Sequence, residues 1–136
     1  MAIRAIVSDQ SDQFDAQVIG TGPEFTVIAF LELPPGSWVA FATATLASGT
    51  PGTNGVQTGF LLDGNLYSPV VNADFTVADN GAGFLVVPLT TGLTLETTQT
   101  LQVGCVAAQP YTIESQQTTI TAIQVDSMTR IRNQTP

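Results

Sequence analysis

The chain has 136 residues, 43% hydrophobic and only 10% charged, with a net charge of −8, three arginines, no lysine and no histidine. Phosphate backbones and anionic membranes are held by clustered cations, so neither nucleic acid nor a membrane is an expected partner. The length suits one domain over 1–136 that buries a core without crosslinks, and the shortage of charge, against about 25% in ordinary soluble domains, leaves surface that subunit contacts are expected to cover.

Strand signals run from end to end: alternation of period two, β-branched and aromatic residues, and breakers at short intervals. The opening residues Met1–Val7 turn polar at Ser8-Asp9-Gln10, too soon for the apolar run of a signal peptide. They predict a strand over Ala2–Val7. Asp9–Asp15 has acids three apart and a single aromatic, Phe14, which predicts a solvated connection. Further strands are predicted over Phe25–Leu33 and Ser37–Ala47, joined by the turn Pro34-Pro35-Gly36. After a loop over Ser48–Gly55 come Gln57–Leu62 and Asn65–Val71. Asp63-Gly64 joins these two as a hairpin, because both residue types accept the positive φ of a type I′ turn. Asp74–Val77, a turn at Asp79-Asn80-Gly81, Gly83–Leu89, Leu93–Glu96, Thr100–Ala107, Tyr111–Glu114 and Thr118–Val125 complete the set. The polar stretch Asp126–Pro136 reads as a tail.

Many short strands with frequent turns predict a β-sandwich or barrel. Val27–Leu31 and Phe84–Leu89 are continuously apolar, and the Ser37–Leu46 strand carries apolar or small residues on both faces. One face of an antiparallel strand normally meets water. A second cover is therefore expected, most simply a further copy of the chain, with Phe30, Phe41, Phe84 and Val86 as the candidate interface residues.

Three stretches carry a family likeness: Leu33-Pro34-Pro35-Gly36-Ser37-Trp38-Val39, Leu93–Glu96 with Thr100–Cys105, and Thr119–Val125. Across residues 24–128 the chain resembles the C1q/TNF-like jelly-roll modules of bacterial and phage proteins. The resemblance implies an all-β, two-sheet antiparallel jelly-roll sandwich of ten strands, a compact homotrimer, and use as a recognition or assembly head. No collagen-like Gly-X-Y stalk precedes the core, and the last strand lacks an aromatic ending.

Chemistry is sparse. Without histidine no Ser-His-Asp or Cys-His nucleophile can be built, and one cysteine leaves only carboxylates for zinc. Gly20-Thr21-Gly22 and Gly49-Thr50-Pro51-Gly52 lack the partners of dinucleotide and phosphate loops and read as turns. The acids lie mostly in turns, where Asp is favoured for backbone reasons, and no calcium loop of the EF-hand pattern occurs. No cofactor or metal is expected, and no enzymatic activity. Trp38 and Cys105 read as core residues. Asp63, Asn65, Tyr67 and Tyr111 are the candidate ligand-binding residues, since an aromatic ring with a polar handle beside amide and carboxylate groups suits a sugar. The expected function is a non-enzymatic trimeric assembly or recognition module, soluble and set on a virion or cell surface. Its partners would be its own copies and another structural protein or a carbohydrate. The alternative is a lectin with sites at the subunit clefts.

Overall fold

Alternation of small and branched residues across short intervals yields nine strands in the computed structural model, which describes residues 5–9, 17–79, 81–109 and 112–126. They are β1 (Ala5–Asp9), β2 (Thr26–Leu33), β3 (Gly36–Ser48), β4 (Gly52–Leu62), β5 (Asn65–Leu66), β6 (Val71–Val77), β7 (Gly83–Leu95), β8 (Gln99–Ala107) and β9 (Glu114–Val125). All pairings are antiparallel, in two sheets ordered β1-β9-β3-β7 and β2-β8-β4-β5, with β6 also on β4. The chain passes repeatedly from one sheet to the other, so strands distant in sequence become neighbours. That interleaved order is a jelly-roll sandwich, the fold class expected from the sequence.

The core lies between the sheets. Trp38, Ala40, Ala42, Ala44 and Leu46 of β3 alternate inward and meet Ile28, Leu33, Phe60, Leu101, Val103 and Ile120. Burying each large aliphatic or aromatic side chain contributes about 1.5–3 kcal/mol. Trp38 is fully buried, and its indole N–H donates to the Pro34 carbonyl at 3.0 Å. That bond ties the turn to the strand it opens. Cys105 is also fully buried, as expected, with its sulfur 3.4 Å from the Thr58 hydroxyl.

Several predicted boundaries are corrected. Gly83–Leu89 and Leu93–Glu96 belong to one strand, because β7 pairs without a break from Gly36↔Leu95 to Ser48↔Gly83. The Ser48–Gly55 loop shrinks to three residues. Thr53 and Asn54 pair with β6, and Asn54 is buried with its amide exchanging two hydrogen bonds with the Gln109 backbone (2.9 and 3.1 Å). The expected strand Asn65–Val71 is interrupted, since the chain leaves the sheet between Leu66 and Val71. Tyr111–Glu114 is not a separate strand among its described residues: β9 begins at Glu114. Residues 1–4 and 127–136 lie outside the described residues.

The two continuously apolar runs have different explanations. In β2 a bulge between Val27 and Ala29 turns Ile28 and Ala29 inward together. In β7 the pattern does alternate, with Val87 and Leu89 buried and Phe84, Val86 and Pro88 outward. Apolar residues there occupy both faces, and the second face is exposed among the described residues.

Residues 17–20 add a flank that the sequence did not announce. The Gln17 N–H donates to the Ser115 hydroxyl and its carbonyl accepts from the Ser115 N–H, Val18 bridges Glu114, Ile19 donates to Ile113, and Gly20 accepts from Ala107. This segment carries the chain from one sheet to the other beside β8 and β9.

Candidate functional site

Two surfaces stand out, one on each outer face of the sandwich. The first is the outer face of the β1-β9-β3-β7 sheet. Its central rows, set by strand register, are Ile123–Val39–Gly92, Thr121–Phe41–Thr90 and Thr119–Thr43–Pro88, continued by Thr45–Val86 and Ala47–Phe84. The three-strand rows on β9, β3 and β7 are apolar or hydroxyl-bearing, while Glu114 pairs with Ala47 in the last row and Asp9 of β1 pairs with Thr119. Phe84 is 68% exposed, Val86 58% and Phe41 45%. Large contiguous apolar exposure is unusual for a monomer and commonly marks an interaction surface.

Of the four predicted interface residues, Phe41, Phe84 and Val86 share this face. Phe30 does not: it pairs with Gln102 on β8, on the outer side of the other sheet. The bulge that precedes Phe30 in β2 is a backbone event that the residue pattern does not reveal.

The outer side of the second sheet is partly roofed. Gly59 of β4 and Gly104 of β8 are direct partners there. Their lack of side chains admits Phe25, Leu61, Leu66 and Val70 over the sheet, and Leu61 is buried although it points away from the inter-sheet core. Beyond this roof lies an open groove of about 380 Å³ across β6, β4 and β8, bordered by Thr21.

The candidate ligand residues lie at the β4–β5 hairpin. Asp63 (φ 48°) and Gly64 (φ 86°) adopt the left-handed conformations expected of the turn. The Asp63 carboxylate accepts from the Thr100 N–H and from the Gln99 side-chain amide, both at 3.0 Å. These bonds, the backbone one first, hold its pKa below the ordinary 3.8. Asp63 is thus engaged in pinning the hairpin to the start of β8. Asn65 is exposed in β5. The Tyr67 hydroxyl donates to the Gly92 carbonyl of β7 at 3.2 Å and bridges the two sheets at one edge. Asp63, Asn65 and Tyr67 share one end of the molecule, and Tyr111 lies outside the described residues.

Burial pushes the Cys105 thiol up to about 11, slightly opposed by the Thr58 contact, so it is no nucleophile at neutral pH. Among the described residues no group of three or more acids, cysteines or histidines could hold a metal ion, and no helix is long and apolar enough to cross a membrane. No buried side-chain polar atom among them lacks a hydrogen-bond partner.

No protein-family model and no curated protein matches the chain. Among solved structures it is similar to the globular domain of zebrafish complement 1qA protein, with a TM-score of 0.45 and 13% sequence identity, over 89% of this chain and 95% of that one.

Proposed function

We propose that the protein is a non-enzymatic assembly and recognition module that works as a homotrimer, with the outer face of the β1-β9-β3-β7 sheet turned toward the other copies. The observation that carries this reading is the apolar patch of Val39, Phe41, Phe84, Val86 and Ile123 on that face. Obligate interfaces are more apolar than ordinary surface and bury upward of about 800 Å² per partner. A second and a third copy are the natural cover, since each brings the same apolar patch. The number three, and a place on a virion or cell surface, rest on the C1q/TNF-like resemblance of the sequence.

The lectin reading draws on the hairpin bearing Asn65 and Tyr67. It has less support there, because the Asp63 carboxylate is already engaged with Gln99 and Thr100.

Light scattering at micromolar concentration tests the assembly. Three times the 14.2 kDa chain mass is expected, with a melting temperature that falls on dilution. A folded monomer whose melting is independent of concentration would overturn the proposal.

A further inference from the structure

The groove on the other outer face has a composition unlike its surroundings. Its walls and floor follow from strand register. Gly55 faces Asp74, and Gln57 faces Asn72, across the β4–β6 pair. Val106 stands beside Gln57 on β8, while Ala108 donates its N–H to the Gly55 carbonyl at 2.8 Å. The floor is therefore small and apolar, and the polar side chains of Gln57, Asn72 and Asp74 stand along it.

Gly55 is what opens the space. A Cβ at that position would stand 2.8 Å from an Asp74 carboxylate oxygen and 3.5 Å from the Ala108 methyl. The carboxylate thus leans over the glycine into the groove rather than away from it. The side chains of Gln57, Asn72 and Asp74 make no hydrogen bond to other described residues. In contrast, Thr53 and Thr76, two pairs further along the same strands, bond to each other at 2.8 Å.

We infer that this groove is a binding site for a neutral polyhydroxylated ligand, a saccharide unit, held by Asp74, Asn72 and Gln57 over the Gly55–Val106–Ala108 floor. Three features select that chemistry. Its volume of about 380 Å³ lies within the range of roughly 300–1,000 Å³ usual for small-ligand sites. A carboxylate accepts hydrogen bonds, and a carboxamide both donates and accepts. Together they match vicinal hydroxyls, each of which does both. The floor offers apolar contact to the C–H face of a sugar ring. The Asp74 carboxylate in the lining disfavours a phosphate or carboxylate ligand. All of these residues come from one chain, so the site does not depend on the trimer, and it lies apart from the Asp63–Tyr67 hairpin.

The test is an amide-resolved NMR titration of the full chain with a panel of neutral methyl glycosides, and with methylammonium as a separate probe. The site predicts shifts centred on Gly55, Asn72, Asp74, Val106 and Ala108 with at least one glycoside. Asp74→Ala should weaken that binding about tenfold or more, as loss of a charge-assisted hydrogen bond does. Gly55→Ala should do the same by displacing the carboxylate, a movable exposed group, while the amide spectrum elsewhere stays that of the folded wild type. Absence of glycoside shifts at the groove across the panel overturns the inference. So does saturation by methylammonium alone, or glycoside binding that both variants leave unchanged.

Discussion

Gly59 and Gly104 stand directly opposite each other on the outward side of the β4–β8 pair, and the space they leave is filled by Leu61, Phe25, Leu66 and Val70. A Cβ on Gly104 would lie 2.8 Å from Leu61 Cδ1 and 3.0 Å from Phe25 Cβ, whereas one on Gly59 would lie 3.2 Å from Leu66 Cδ1 and 3.3 Å from Val70 Cγ1. Overpacking of this kind costs about 1–3 kcal/mol. Gly104→Ala should therefore lower the urea midpoint more than Gly59→Ala. Equal, negligible effects would mean that the roof over this sheet is loose.

The apolar patch around Phe41 and Val86 gives a mutational contrast. Phe41→Asp and Val86→Asp place a charge on it, and each should reduce the mass of the proposed trimer toward that of one chain. Phe30→Asp puts the same charge on the opposite outer face and should leave the mass unchanged. Loss of assembly with Phe30→Asp, and retention with the other two, would put the interface on the wrong sheet.

Cys105 sets a stability limit at high pH. Its folded pKa of about 11 lies above the ordinary 9.0. Between these values the unfolded chain releases a proton that the folded chain keeps, so stability falls as pH rises through that window. Two pKa units correspond to a loss on the order of 2 kcal/mol. Denaturation of wild type and Cys105→Ala at pH 8 and pH 11 should show the wild type losing more, and parallel losses would refute the assignment. The buried thiol should also react slowly with a thiol reagent until the chain is denatured.

Asp63 works at the other end of the scale. Its folded pKa lies below the ordinary 3.8, so its contribution is present above that value and is lost as pH falls through the folded pKa. Asp63→Asn removes the charge while tolerating the positive φ. Thermal melts should place the variant below the wild type at neutral pH, with the gap closing in strong acid. A gap that persists there would assign the loss to turn geometry instead.

Trp38 ties the turn before β3 to the core through Pro34. Trp38→Phe keeps an aromatic ring but strands the Pro34 carbonyl and leaves a void, for about 1–3 kcal/mol. Trp38→Ala should cost about 3–5 kcal/mol. Denaturant titration orders the two.

Much of the architecture was legible because strand chemistry is local. Alternation marked β3, and Asp63-Gly64 marked a turn through the φ values those residues accept. Phe84, Val86 and Phe41 were legible as surplus apolar residues, since a two-sheet core has only one inside. Phe30 looked equivalent to them, but its facing was decided by the bulge at Val27–Ala29, a backbone irregularity that shifts register by one residue and so exchanges faces.

By itself the sequence determined an all-β chain with a buried thiol and tryptophan, because composition, period and turn preference act within a few residues. Tertiary structure decided that Asp63 is engaged by Gln99 and Thr100, that Gly59 meets Gly104, and that Gly55 brings Asp74, Asn72 and Gln57 around one groove. Each of these depends on pairing between strands well separated along the chain. Such pairing is fixed by burial of the whole inter-sheet core rather than by any preference of the residues that meet.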